Sequence, residues 1–82
     1  MNNLEKYNKV FIETFSIEES NLDKDLEYNS IQEWDSIGHM ELIAEIEESF
    51  DISMEMDDII DFSSYLKGIE IMNSYSIIIN LP

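Results

Sequence analysis

Residues 33–50 read Glu-Trp-Asp-Ser-Ile-Gly-His-Met-Glu-Leu-Ile-Ala-Glu-Ile-Glu-Glu-Ser-Phe and contain no proline. Asp35 and Ser36 are residue types that commonly start a helix. With about 100° between successive residues of a helix, the stretch divides into two arcs. One arc is apolar and should face a core: Leu42, Ile43, Ile46 and Phe50. The second arc lies beside Ser36 and mixes apolar with acidic side chains: Ile37, Met40, Glu41, Ala44, Glu47 and Glu48. We interpret this second arc as a surface that another molecule recognises.

The rest of the chain predicts further helices around this one. Leu4, Tyr7, Phe11 and Phe15 recur at helical spacing, which predicts a first helix over residues 3–15. Residues 57–61 could form one or two helical turns. A last helix should begin after Ser63 or Ser64 and end near residue 73.

These elements indicate one small all-α domain. The chain has 82 residues, two glycines and one proline, which leaves little room for a β architecture with many turns. We predict a small four-helix bundle, with three main helices and one short helix, over residues 1–73. Residues 74–82 form a C-terminal tail of β-branched and apolar residues, which could be strand-like, docked on the bundle or frayed.

Between the first two helices, residues 16–35 lose the helical period. A loop of this length is unusual in a compact domain and needs a reason. We expect its apolar residues to cover the open side of the bundle: Leu22, Leu26, Tyr28, Ile31 and Trp34. Trp34 should anchor the chain where the second helix begins.

The composition restricts the classes of partner. Nineteen acidic residues against four Lys and Arg give a formal net charge of −15. Such a charge argues against nucleic acid and anionic membranes as partners and favours proteins with basic patches. No secretory signal and no apolar run of about 20 residues is visible, so we expect a cytoplasmic protein.

Catalytic and metal-binding patterns are weak. The sequence has no cysteine, and Asp57, Asp58 and Asp61 lack the ligand spacing of a calcium loop. A hydrolase could pair Ser36 with His39, the only histidine, but the helical wheel places His39 among the core-facing residues. A structural histidine is therefore the favoured interpretation. The simplest role for Ser36 is that of a helix cap, and its neighbourhood supports a more specific one.

Residues 35–42 and 46–50 together resemble the attachment motif of acyl carrier proteins. That family has Asp-Ser-Leu or Asp-Ser-Ile, then an apolar residue, Glu and Leu, and later an acidic pair before Phe. The order of helices and loops over residues 3–73 is also similar, and the version seen here looks like the discrete carriers of specialised pathways. Two features depart from the family pattern: Gly38 stands where an acidic residue is often found, and the tail extends beyond the usual ending.

The resemblance implies that Ser36 carries 4′-phosphopantetheine, transferred from coenzyme A by a separate Mg²⁺-dependent phosphopantetheinyl transferase. The thiol of this arm would hold an acyl group as a thioester and present it to acyl-loading, acyl-transfer or synthase enzymes. The chain itself would be a monomer without catalytic or metal-binding residues. The resemblance also implies a recognition surface for these enzymes: Asp35, Ile37, Met40, Glu41, Ala44, Glu47 and Glu48. Within it, Glu41 and Glu48 are expected to contact partner Arg or Lys, and Ile37 and Met40 to form the apolar centre.

Two alternatives remain open at this point. Peptidyl or aminoacyl carriers share the prosthetic group, although Trp34-Asp35 does not match the Gly-Gly-His-Ser lead that is common among them. A cofactor-free acidic helical adaptor for basic partners would need the same acidic face but would not need Ser36. The acyl pathway, whether fatty acid, polyketide or a specialised acyl transfer, is not readable from the residues.

Overall fold

The computed structural model describes residues 1–82 and contains four α-helices and no β-strand. The helices are α1 (Asn3–Phe15), α2 (Ser36–Phe50), α3 (Met56–Asp61) and α4 (Tyr65–Ser74). A 3₁₀ helix at Glu19–Asn21 interrupts the long first loop. This arrangement confirms the predicted all-α fold of three main helices and one short helix. None of the helices is both long enough and apolar enough to span a bilayer.

Three of the helices begin at a polar side chain that caps them. Asn2 accepts a hydrogen bond from the Glu5 N–H at the start of α1, and Asp35 does the same for Gly38 in α2. Ser64, one of the two serines considered for α4, accepts from the Lys67 N–H. Such caps satisfy backbone donors that a helix leaves unpaired at its first turn. Helix α3 has no side-chain cap.

An aromatic core joins α1 to the loop and to the segment between α3 and α4. Tyr7, Phe11 and Phe15 of α1 are fully buried, as their spacing predicted. The Phe15 ring stacks on Trp34 with centroids 5.3 Å apart, and Phe11 stacks on Phe62 at 6.4 Å. Because burying a large apolar side chain contributes about 1.5–3 kcal/mol, these rings dominate the stability of so small a domain.

The second helix buries most of its predicted inner face. Leu42, Ile43 and Ile46 are buried in the core. Phe50 was expected there too, but it is only partly buried at the edge of the core. Its ring lies under the ammonium group of Lys6, 4.9 Å from the ring centroid, so one face of Phe50 contacts a cation and not the core.

The long first loop packs on the bundle. Leu26 and Trp34 are buried, and Leu22 and Ile31 are partly buried against the core. The expectation for Tyr28 was wrong, since this side chain is 40% exposed.

The tail docks on the bundle without forming a strand. Ile79 is buried and Ile77 is partly buried against the core. The Asn3 side chain donates a hydrogen bond to the Ile78 carbonyl oxygen at 3.2 Å, which ties the tail to the start of α1.

Candidate functional site

Ser36 is the first residue of α2, and its side chain does not cap the helix. The cap is Asp35, whose carboxylate accepts a hydrogen bond from the Gly38 N–H at 2.8 Å. The simple explanation of Ser36 as a capping serine is therefore wrong. Ser36 is exposed, and its side chain does not have the capping role that its position first indicated.

The first turn of α2 offers a favourable environment for a negative charge. The Gly38 and His39 N–H groups are used by the Asp35 side chain and the Asp35 carbonyl oxygen, respectively. The N–H groups of Ser36 and Ile37 have no acceptor within the helix, because the first turn precedes the first carbonyl that could reach them. Together with the positive end of the helix dipole, they would stabilise an exposed anionic group on Ser36 by about 0.3–1 kcal/mol.

Gly38 is required by the path of the loop. A Cβ atom at this position would overlap the backbone carbonyl oxygen of Glu33 and would lie 3.1 Å from its carbonyl carbon. The chain before α2 thus passes directly against the first turn of the helix. This contact leaves no room for a side chain at position 38, because any side chain there would meet the backbone of Glu33.

His39 connects three parts of the protein through its two ring nitrogens. The Trp34 indole N–H donates to Nδ1 at 3.0 Å, and Nε2 lies 2.8 Å from the Ile59 carbonyl oxygen. An indole nitrogen can only donate, so Nδ1 is unprotonated, and Nε2 carries the proton and donates to Ile59. Both nitrogens are therefore occupied, and neither is free to accept a proton from Ser36. The partly buried His39 serves as a structural bridge in this arrangement.

A cleft of about 400 Å³ lies beside Ser36, between α2 and α3. Its lining is mostly apolar and consists of Tyr28, Ser36, His39, Met40, Met56, Ile59, Ile60, Phe62 and Ser63. A larger groove of about 650 Å³ between α1 and α2 is lined mainly by polar and charged residues and does not include Ser36. The smaller cleft is the one that a group attached to Ser36 could enter.

Sequence reasoning missed the contribution of α3 to this site. Met56 and Ile60 of α3 are each 68% exposed, and both line the cleft together with Met40 of α2. The spacing of Met56, Ile59 and Ile60 at i, i+3 and i+4 was a readable signal for one apolar helix face. It was overlooked because the segment is so short.

The predicted recognition residues separate into two groups. Ile37 and Met40 are 71% and 56% exposed, and Glu41, Ala44 and Glu48 are exposed as well. The only ion pair of the protein joins Lys24 to Asp25, so Glu41 and Glu48 have no cationic partner within the chain.

The other two predicted recognition residues make hydrogen bonds within the fold. Glu47 is partly buried, and its Oε2 accepts a hydrogen bond from the Met54 N–H at 2.8 Å. Asp35 is exposed, but its carboxylate is the cap of α2. Both carboxylates therefore accept a backbone hydrogen bond within the fold, which Glu41 and Glu48 do not.

Neither a protein-family model, nor a curated protein, nor a solved structure matches this chain. The site consists of an exposed serine at a helix start, an apolar cleft beside it, and an outward surface of apolar and unpaired acidic side chains.

Proposed function

We propose that this protein is an acyl carrier protein, with 4′-phosphopantetheine attached covalently to Ser36. The observation that carries this proposal is the position of Ser36. The hydroxyl is exposed at the start of α2, it borders the apolar cleft, and Asp35 has taken over the capping role. The resemblance of residues 35–50 to the carrier motif agrees with that position.

The residues present fit the prosthetic group. In the loading step, Ser36 Oγ would form a bond to the phosphorus of coenzyme A that bears the pantetheine arm. The bond from that phosphorus to the bridging oxygen breaks, the adenosine bisphosphate moiety leaves, and a base of the transferase takes the serine proton. The unpaired N–H groups of Ser36 and Ile37 would face the resulting phosphodiester. When bound, the group supplies a thiol that holds an acyl chain as a thioester.

The cleft favours an acyl cargo over a charged aminoacyl cargo. Its walls offer methionine, isoleucine and aromatic side chains, and the only polar side chains in its lining are those of Ser36, His39 and Ser63, apart from the hydroxyl of Tyr28. A charged amino group placed there would lose hydration without gaining an ionic partner. We therefore assign acyl groups from fatty-acid, polyketide or related biosynthesis as cargo, ahead of peptidyl or aminoacyl groups.

Partner enzymes would dock on the outward surface beside Ser36. Ile37 and Met40 provide an apolar centre, and Glu41 and Glu48 offer unpaired carboxylates to Arg or Lys side chains. Exposed charges of this kind accelerate association and make it sensitive to salt. Such contacts suit a carrier, which must leave one enzyme before it reaches the next.

The same surface supports a second candidate, a cofactor-free adaptor that binds basic partners. The exposed apolar residues and unpaired acids would serve an adaptor equally well. The adaptor has no use for the position of Ser36, and this difference separates the two candidates experimentally.

The test is the intact mass after incubation with coenzyme A, Mg²⁺ and a broad-specificity phosphopantetheinyl transferase. The unaltered protein and Ser53→Ala, which changes an exposed loop serine, should each gain one phosphopantetheinyl group. Ser36→Ala should gain none and should keep an unchanged thermal melt, since Asp35 caps the helix. If the unaltered protein gains no mass, or if Ser36→Ala still does, the carrier proposal fails.

A further inference from the structure

Helix α3 forms one wall of the cleft, yet little of it is buried. It has six residues, none of them fully buried, and no side-chain cap. A helix of this length is not stable in isolation and depends on contacts with its surroundings. The contacts that hold α3 therefore determine how wide the cleft opens.

Helix α2 supplies two of these contacts, one near each end of the α3 segment. The Glu47 carboxylate accepts from the Met54 N–H just before α3. The His39 ring donates to the Ile59 carbonyl oxygen within α3.

A second set comes from Tyr75, the residue that follows α4. Its hydroxyl accepts a hydrogen bond from the Glu55 N–H at 2.8 Å and donates one to Asp58 Oδ2 at 2.6 Å. One hydroxyl thus joins the residue that precedes α3 to a carboxylate in its first turn. A tyrosine hydroxyl is protonated at neutral pH and can donate. Partial burial raises the pKa of Tyr75, and the hydrogen bond to Asp58 raises it further.

The tail fixes the place of Tyr75. The Tyr75 N–H donates to the Met72 carbonyl oxygen at 3.0 Å, and Ser76 then adopts a left-handed conformation with a φ of 65°. The Ile77 N–H returns to the same Met72 carbonyl at 3.1 Å, which reverses the chain. Beyond the reversal, Ile79 is buried in the core and anchors the segment.

We propose that Tyr75 is a positioning residue that ties α3 to the end of α4 and so, together with the contacts from α2, sets the opening of the cleft beside Ser36. The tail then has a role in the site, since it fixes the residue that carries the hydroxyl. The holding of α3 is independent of any prosthetic group. Its consequence for a thioester-bound chain rests on the proposed carrier function.

The experiment compares Tyr75→Phe with the unaltered protein by native-state amide hydrogen exchange, without a prosthetic group. The substitution keeps the ring and removes only the hydroxyl. The reporter is the Ile59 N–H of α3, which donates to the carbonyl oxygen of Glu55, the residue that precedes α3, and is not itself hydrogen-bonded to Tyr75. Its exchange should accelerate roughly tenfold, as expected when two hydrogen bonds that stabilise a local element are lost.

Two further variants make the result specific. Tyr65→Phe also removes one hydroxyl, whose hydrogen bond goes to Asn8 of α1, and it should not accelerate Ile59 selectively. Asp58→Ala removes the acceptor instead of the donor and should raise Ile59 exchange several-fold. A uniform acceleration in all helices of Tyr75→Phe, or no acceleration at Ile59, would overturn the proposal.

A second readout addresses the cargo. After loading, hydroxylamine cleavage of the thioester should be faster in Tyr75→Phe than in the unaltered protein for an octanoyl chain, which can enter the cleft. An acetyl group has too little apolar surface to be held in the cleft, so it should be cleaved equally fast in both. If Ser36 cannot be loaded, the carrier proposal fails while hydrogen exchange still decides the role of Tyr75. Equal octanoyl rates in the two loaded proteins would overturn the link between Tyr75 and the cleft.

Discussion

Replacing Gly38 by alanine should destabilise the protein, against the usual preference of helices. At an exposed helical position, alanine is favoured over glycine by about 1 kcal/mol. Position 38 is buried, and a Cβ there would overlap the Glu33 carbonyl oxygen and lie 3.1 Å from the carbonyl carbon. The sign of the effect depends on whether this part of the loop can move.

The surrounding contacts leave Glu33 little freedom. The next residue, Trp34, is fully buried, and its N–H donates to the Ile31 carbonyl oxygen at 3.2 Å. The Trp34 carbonyl oxygen accepts from the Asn29 N–H at 2.9 Å. Overpacking of this kind costs about 1–3 kcal/mol, and a weakened Asp35 cap would add about 0.5–2 kcal/mol. After the helical preference of about 1 kcal/mol is subtracted, we expect a net loss of about 0.5–4 kcal/mol.

Urea unfolding followed by far-UV circular dichroism measures this loss. Ala44→Gly is the matched control, because Ala44 is exposed on the same helix and should lose only the helical preference, about 1 kcal/mol. The indole N–H resonance of Trp34 should shift in Gly38→Ala and stay in place in the control. A Gly38→Ala protein that is as stable as the original, with an unmoved indole resonance, would refute the steric argument.

Four further substitutions follow from particular features of the structure. Glu47→Ala should cost about 1 kcal/mol in urea unfolding, because the Met54 N–H loses its acceptor. Glu48→Ala should change stability by less than about 0.5 kcal/mol and should instead raise the KM of the phosphopantetheinyl transferase for this protein. Equal stability losses in Glu47→Ala and Glu48→Ala would contradict the different roles of the two acids. Burial, and secondarily the charge of Tyr65, raises the pKa of Tyr7 well above its ordinary value of 10.0. The folded state therefore keeps Tyr7 neutral, so its contribution to stability is complete below pH 10.0 and falls above it by up to about 1.4 kcal/mol per pH unit. Urea unfolding at increasing pH should show a shallower alkaline decline for Tyr7→Phe, and an identical decline would contradict the assignment. Gly68→Ala should lower the Tm, because a Cβ there would overlap the Tyr7 hydroxyl and the Phe62 ring, and a raised Tm would show that these rings can yield.

Helical periodicity was sufficient to predict the framework of this fold. The apolar spacing along α1 and α2 identified Tyr7, Phe11, Leu42 and Ile46 as core residues, and all four are buried. Such a pattern is reliable because a helix of a small domain must bury one apolar face in the core. The same reasoning separated the outward arc of α2 from its inner arc, including Ile37, which is exposed.

Contacts between distant residues were not predictable in this way. His39 bonds to Ile59, and Tyr75 bonds to Glu55, each across 20 positions of sequence. No periodic pattern encodes such a bond, because it depends on how the helices are placed after folding. The close approach of Glu33 to Gly38 is a further case. From sequence alone, a glycine in a helix indicates only a lower helix stability, and the need for it becomes visible when the neighbouring backbone is known.

The case for Ser36 as an attachment point rests on features that stability alone does not explain. Local preferences and tertiary packing agree over most of a stable protein, and conflicts between them are expected at functional sites. Here Ile37 and Met40 of α2 and Met56 and Ile60 of α3 are all more than half exposed. Exposed apolar side chains are ordinary when scattered, but a group of them beside a cleft indicates binding. Ser36 borders that cleft, Asp35 caps the helix in its place, and the ring nitrogens of His39 are occupied by other hydrogen bonds. This is the arrangement expected of a serine that another enzyme modifies.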